Sequence, residues 1–117
     1  SYTFITKDNT TIGTGSRSYE LKPVPAEFAL KDNYPNPFNP RTTIQYDLPI
    51  SGNVSVIIYN VAGQEVAKLV NNAQEAGYHS VVWNGTNVSG AKAAAGIYFY
   101  QIQAGGFVRT KKMLLLK

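Results

Sequence analysis

From Thr42 onward, apolar side chains recur at every second position in short runs, and each run ends at glycine, proline, asparagine or serine. A period of two puts alternate side chains on one face, which the 3.6-residue turn of a helix does not. The pattern therefore confines the chain to half-buried strands joined by turns. Thr42–Leu48 sets Ile44, Tyr46 and Leu48 on one face before Pro49 closes the run. After the turn Ser51-Gly52-Asn53, Val54–Tyr59 aligns Val54, Val56 and Ile58, and Asn60-Val61-Ala62-Gly63 turns the chain into Gln64–Val70. Asn71–Ala76 reads as a polar loop, and Tyr78–Trp83 then aligns His79, Val81 and Trp83. Asn84–Ala95 reads as a long loop, because its alanine run is only about one helical turn between glycines. Gly96–Gln103 aligns Tyr98, Tyr100 and Ile102. Ala104-Gly105-Gly106 makes a tight hairpin, and Phe107–Leu116 closes the chain.

These strands predict an all-β chain, an immunoglobulin-like antiparallel β-sandwich of about seven strands. Its expected core is Ile44, Tyr46, Val56, Ile58, Val81, Trp83, Tyr98 and Tyr100. With 117 residues, 44% of them hydrophobic and 15% charged, the chain suits one domain with a real core.

Residues 33–40, Asn-Tyr-Pro-Asn-Pro-Phe-Asn-Pro, cannot be helical. Their prolines fix the backbone as extended or turned and remove amide donors. Residues 1–26 read differently again: short alternating pieces around Tyr2 and Tyr19 flank a polar loop, and Pro23 and Pro25 mark a boundary. A lone hairpin is marginal in water, so this one is expected to pair with the sandwich or a neighbouring copy. The expected division is a tail or linker hairpin of an upstream domain at 1–26 and a sandwich at 27–117. The chain opens on Ser1 without the basic and apolar start of a signal peptide, and is expected to be a piece of a longer protein.

The chemistry on offer is thin. There is no cysteine, so disulfides and thiol chemistry are excluded. His79 is the only histidine, which leaves a triad or a zinc site without partners. The acidic residues Asp8, Glu20, Glu27, Asp32, Asp47, Glu65 and Glu75 follow no calcium-loop spacing, and no glycine run has a phosphate-loop pattern. No catalytic residue, metal or cofactor is expected, and no apolar run is long enough to cross a membrane. Asn9, Asn53, Asn84 and Asn87 begin N-x-S/T triplets, which matter only in a host that glycosylates them. Tyr34, Phe38, Tyr46, Tyr59, Tyr78, Trp83, Tyr98, Phe99 and Tyr100 would make a sugar-stacking platform if exposed in a row, but alternating aromatics more often fill a sandwich.

Charge is more telling. The net charge is +4, and after Glu75 only cations follow: Lys92, Arg109, Lys111, Lys112 and Lys117. So few charges make a poor footprint for nucleic acid, which is not among the expected partners. A basic edge strand either discourages aggregation or meets anionic lipid or an acidic partner surface.

From Asn33 to the end, the sequence resembles the type A C-terminal sorting domain of the Bacteroidota type IX secretion system. The resemblance is carried by N-Y-P-N-P-F-N-P-R-T-T-I-Q-Y-D-L-P at 33–49 and I-Y-N-V-A-G-Q-E-V at 58–66. It continues through A-G-Y-H-S-V-V-W-N-G at 76–85, A-G-I-Y-F-Y-Q-I-Q-A-G-G-F at 95–107 and T-K-K-M-L-L-L-K at 110–117. Pro25–Leu30 is similar to the lead-in of that family. The resemblance implies an Ig-like sandwich related to the Ig-like domain of flagellar hook-capping proteins. It also implies a non-catalytic address that directs a cargo, upstream in the same polypeptide, across the outer membrane to the cell surface or medium. The implied partners are the outer-membrane secretion machinery and its sortase-like protease. The recognition residues expected on this basis are Pro35, Asn36, Pro37, Phe38, Asn39, Pro40, Gly96, Tyr98, Lys111, Lys112 and Lys117. A carbohydrate-binding or structural adhesion module of an extracellular enzyme is the alternative.

Overall fold

A computed structural model describes residues 24–116. The hairpin expected within 1–26 lies almost wholly outside the described residues, as does Lys117. Among these residues seven strands form: β1 (Ala29–Leu30), β2 (Thr42–Leu48), β3 (Gly52–Asn60), β4 (Glu65–Gln74), β5 (Gly77–Trp83), β6 (Gly96–Ala104) and β7 (Phe107–Leu115). They make a three-stranded sheet ordered β1-β2-β5 and a four-stranded sheet ordered β4-β3-β6-β7, and every pairing is antiparallel. The β3–β4 and β6–β7 hairpins stay within the larger sheet, whereas the β2–β3, β4–β5 and β5–β6 links cross between sheets. This is the immunoglobulin-like sandwich that the alternation predicts.

The alternation becomes the core. β2 contributes Ile44, Tyr46 and Leu48, β3 contributes Val54, Val56 and Ile58, β6 contributes Tyr98, Tyr100 and Ile102, and β7 contributes Met113 and Leu115. Each such side chain gains about 1.5–3 kcal/mol by leaving water. Val81, expected with them, is only half-buried. It sits on β5, the outermost strand of the smaller sheet, where one flank has no neighbouring strand among the described residues.

Two further expectations are corrected by the ladder. Asn71–Ala76 does not form a loop: β4 runs on to Gln74, because β3 starts at Gly52 and pairs the polar stretch through Gly52↔Gln74 and Asn53↔Ala73. Backbone pairing outweighs the poor strand propensity of asparagine here. β4 also breaks its own alternation. Register shifts at Val56/Ile57 and Ile58/Tyr59 leave Leu69 and Val66 without opposing residues, so Ala67 and Val70 both turn inward. The β3–β4 turn is closed by Asn60, whose Oδ1 accepts the N–H groups of Ala62 and Gln64 at 3.0 Å, while Gly63 supplies the positive φ of 81°.

Candidate functional site

The proline-rich stretch 33–40 straps the sandwich. Tyr34 bridges to Thr43 beside β2, and the chain then crosses to the other sheet, where Phe38 pairs with Leu115 in parallel. Phe38 N–H donates to Leu114 C=O at 3.0 Å, Leu116 N–H donates to Phe38 C=O at 2.8 Å, and Leu114 N–H reaches Asn36 Oδ1 at 3.1 Å. The last third of β7 thus has its outer edge covered by residues 36–38. The three X–Pro peptides of the strap, at Pro35, Pro37 and Pro40, are cis.

Beneath the strap, aromatic rings interlock. Phe38 is 2% exposed and lies 5.7 Å from Trp83, which meets Tyr98 edge-on at 5.2 Å. Trp83 Nε1 donates to Thr86 C=O at 2.8 Å, and the Tyr98 hydroxyl donates to Ala94 C=O at 2.6 Å, so both polar tips pin the 84–95 loop. Gly85 completes the corner. A Cβ there would stand 2.9 Å from the Pro40 carbonyl oxygen, and φ is +75°. A shallow cavity of about 310 Å³ opens beside it, between Pro40, Gly85, Lys92 and Leu116.

Upstream, Asn33 fixes where the strap begins. Its N–H donates to the Tyr100 hydroxyl at 2.9 Å, and that hydroxyl donates to Lys31 C=O at 2.8 Å. Asn33 Nδ2 donates to Thr42 Oγ1 at 3.0 Å, and Thr42 Oγ1 donates to Pro35 C=O at 2.9 Å. Burial is the main cause that pushes the Tyr100 hydroxyl up to about 12; the hydrogen bond from Asn33 opposes it and nearby Asp32 adds to it. Burial also raises Tyr98 and, against the Gln74 hydrogen bond, Tyr46.

The expected recognition residues therefore divide. Pro35 stays beside Thr42 at the start of β2, whereas Asn36, Pro37, Phe38, Asn39 and Pro40 come together near Tyr98 at the C-terminal end of β7, and Gly96 pairs with Leu115 there. Phe38 and Tyr98 lie in the core, away from any surface that a partner could touch. Gly96 has nothing within 4 Å of a Cβ; its φ of +147° is what asks for glycine. Lys111 and Lys112 lie farther along β7, on opposite faces. Lys111 is held by Asp32 at 3.0 Å, and Lys112 is exposed on the outer face opposite Phe99. Sequence reading missed Gly85, Asn33 and Asp32. The Trp-Asn-Gly turn was a signal for the first, Asn33 opens the proline-rich motif without being marked as its anchor, and nothing local pointed to Asp32.

Of the other aromatics, Tyr46, Trp83 and Tyr100 are core, whereas Tyr34 and Tyr78 are exposed. Those two lie beside β2 partners Thr43 and Asp47 at opposite ends of that strand, not in a row. His79 stacks on Tyr46 at 5.3 Å and its Nε2 lies 2.7 Å from Glu75 C=O. Among the described residues no three His, Cys, Asp or Glu side chains are placed to hold a metal, and no helix is long and apolar enough to cross a membrane.

Two sheets, a strap that switches between them and a shared apolar core define an Ig-like β-sandwich module. The FlgD Ig-like domain family matches residues 40–106. The chain belongs to that family. Among solved structures it is similar to PorU of Porphyromonas gingivalis, described as a latent dimer, with 22% identity over 78% of this chain and 10% of that one, and a TM-score of 0.60. It is also similar to PorZ, described as an essential surface component of the type IX secretion system of the same organism, with 20% identity over 77% and 11% of the two chains and a TM-score of 0.51. FlgD of P. aeruginosa aligns at 29% identity over 64% of this chain and 60% of that one, with a TM-score of 0.51. The chain spans about a tenth of PorU and PorZ, and at these identities the likeness to them is one of fold. No curated protein sequence matches the chain.

Proposed function

We propose that this chain is a non-catalytic sorting domain that directs an attached cargo across the outer membrane to the surface or medium through a type IX secretion system. The observation that supports this reading is the convergence of its most distinctive motifs. The strap at 36–40, the turn at 83–85 and the end of β7 meet at one corner, although they are far apart in sequence. A fold alone needs no such concentration of motifs at one corner. The corner fixes the path of residues 114–116, which gives a receptor a rigid surface to read. The likeness in fold to PorZ, itself a type IX component by its description, is consistent with the reading. The implied partners are the outer-membrane machinery and its sortase-like protease.

The test is an export assay. The whole chain, fused behind a periplasmically targeted fluorescent protein, is expected to carry it to the surface or medium of a host with the type IX system. Removing residues 112–117 is expected to leave it in the periplasm. A parent fusion that stays periplasmic in that host would sink the sorting reading.

A further inference from the structure

Among the described residues, the sandwich is closed on one flank and open on the other. β4 and β5 are joined by the two residues Glu75 and Ala76, whereas β1 and β7 are the outermost strands of their sheets on the opposite flank. Between them runs a groove of about 290 Å³, lined by Phe28, Leu30, Phe107, Arg109, Thr110 and Lys111. Phe28 stacks on Phe107 at 5.3 Å, and the Arg109 guanidinium lies 5.1 Å from the Phe107 ring centre. The groove is therefore apolar and aromatic within, and cationic at its rim.

Its wall is a strand edge. Residues 36–38 take the outward groups of Leu114 and Leu116. Outward and inward groups alternate along an antiparallel ladder. Val108, Thr110 and Lys112 thus present their N–H and C=O groups on that same edge, and among the described residues no backbone partner meets them. Such an edge accepts an added strand.

The charge at the rim selects the occupant. Lys111 already holds a carboxylate, that of Asp32, at 3.0 Å. Among the described residues no strand is acidic: β2 carries only Asp47 and β4 only Glu65, the latter with Lys68 beside it. A second β7 would set Arg109, Lys111 and Lys112 against their own copies. Residues 1–23 hold Lys7, Arg17 and Lys22 against Asp8 and Glu20, so they too bring more cations than carboxylates.

We propose that the seam between β1 and β7 receives an acidic, extended segment of another protein, added as a strand to β7 at Val108, Thr110 and Lys112. The proposal rests on the sorting reading for the role of that partner in export, and deepens it by stating the partner's chemistry. The added strand makes its main-chain bonds to β7, offers carboxylates on its inner face to Arg109 and Lys111, and lays the apolar side chains of its outer face beside exposed Val108.

The discriminating variant is Thr110→Pro. Proline at this position removes an outward N–H and the exposed hydroxyl that accepts Gln101 Nε2 at 3.0 Å, but no ladder bond, because Thr110 spends no N–H on β6, and edge strands tolerate proline. The probe is an octapeptide alternating valine and glutamate, with its valine–lysine counterpart as control, titrated against the whole chain by amide NMR. The glutamate peptide is expected to shift the amides of Val108, Thr110 and Lys112 saturably. The lysine peptide should not, and Thr110→Pro should weaken binding at least about tenfold with the melting curve retained. Equal response to both peptides, no response, or binding undiminished in Thr110→Pro overturns the proposal. So does a dimer dissolved by Thr110→Pro, which makes a second copy the occupant. Peptide binding that emerges only after deletion of residues 1–23 assigns the seam to the chain's own segment and likewise overturns it. In the export assay, Thr110→Pro is expected to stay periplasmic. Export equal to the parent would remove the seam from sorting. A parent fusion that is not exported, with peptide binding intact, supports the seam and counts against the sorting reading instead.

Discussion

Phe38 and Leu114 are joined main chain to main chain, N–H to C=O at 3.0 Å, across 76 positions of sequence. Through that bond and its companion from Leu116, the proline strap becomes a short parallel partner of the last strand. The Phe38 ring is fixed below by Trp83. Phe38→Ala is expected to cost about 3–5 kcal/mol, as for other buried aromatics, by opening a cavity over Trp83. Urea denaturation measures it, and hydrogen exchange should show Leu114 and Leu116 losing protection before the β3–β6 pairs do. A loss below about 1 kcal/mol would mean that the ring is not what anchors the strap.

Gly85 and Gly90 separate two reasons for glycine. Both have positive φ, +75° and +85°, but only at Gly85 would a Cβ meet an obstacle, the Pro40 carbonyl at 2.9 Å. Gly90→Ala is expected to cost about 1–2 kcal/mol for the left-handed backbone alone. Gly85→Ala should cost clearly more and should loosen the strap. Equal shifts in the two melting temperatures would show that the contact with Pro40 carries no weight.

Tyr100 gives the fold an alkaline limit. Its folded pKa is about 12 against an ordinary 10.0, so the folded state retains a proton that the unfolded chain gives up. Stability from this group is complete below pH 10 and falls between about pH 10 and 12, by roughly 1.4 kcal/mol per unit. Tyr46 and Tyr98, raised in the same direction by burial, steepen the fall. Tyr100→Phe should flatten the alkaline limb. It should also cost about 1–3 kcal/mol at neutral pH, since Asn33 N–H and Lys31 C=O lose their partner. Denaturation curves at stepped pH decide both points.

Lys111 and Lys112 separate folding from recognition. The Lys111–Asp32 pair is largely exposed and is worth at most about 1 kcal/mol, and Lys112 makes no ion pair among the described residues. Reversing both lysines to glutamate is expected to lower stability only slightly while export of the fusion falls several-fold. A well-folded reversed variant exported like the parent would take the lysines off the recognition surface.

Much of the fold was legible because alternation is a local property. Ile44, Tyr46, Val56, Ile58, Tyr98 and Tyr100 announced their inward faces through their immediate neighbours. β4 was misread at its end because its pairing is decided by β3, and its bulges because no local pattern marks a skipped residue. The short strand β1 was read only as a lead-in, since two residues carry no period.

Sequence alone determined the strand class, the turn positions at Asn60–Gly63 and Ala104–Gly106, the stiffness of 33–40 and the one-sided charge after Glu75. These follow from side chains and their next few neighbours. Only the tertiary structure decided that the proline strap covers the edge of β7 at Leu114 and leaves it open at Thr110, that Gly85 touches Pro40, and that Asp32 holds Lys111. Those contacts join residues dozens of positions apart. They exist because two sheets, each with one apolar face, must bury those faces against each other, and the strap has to cross the resulting gap.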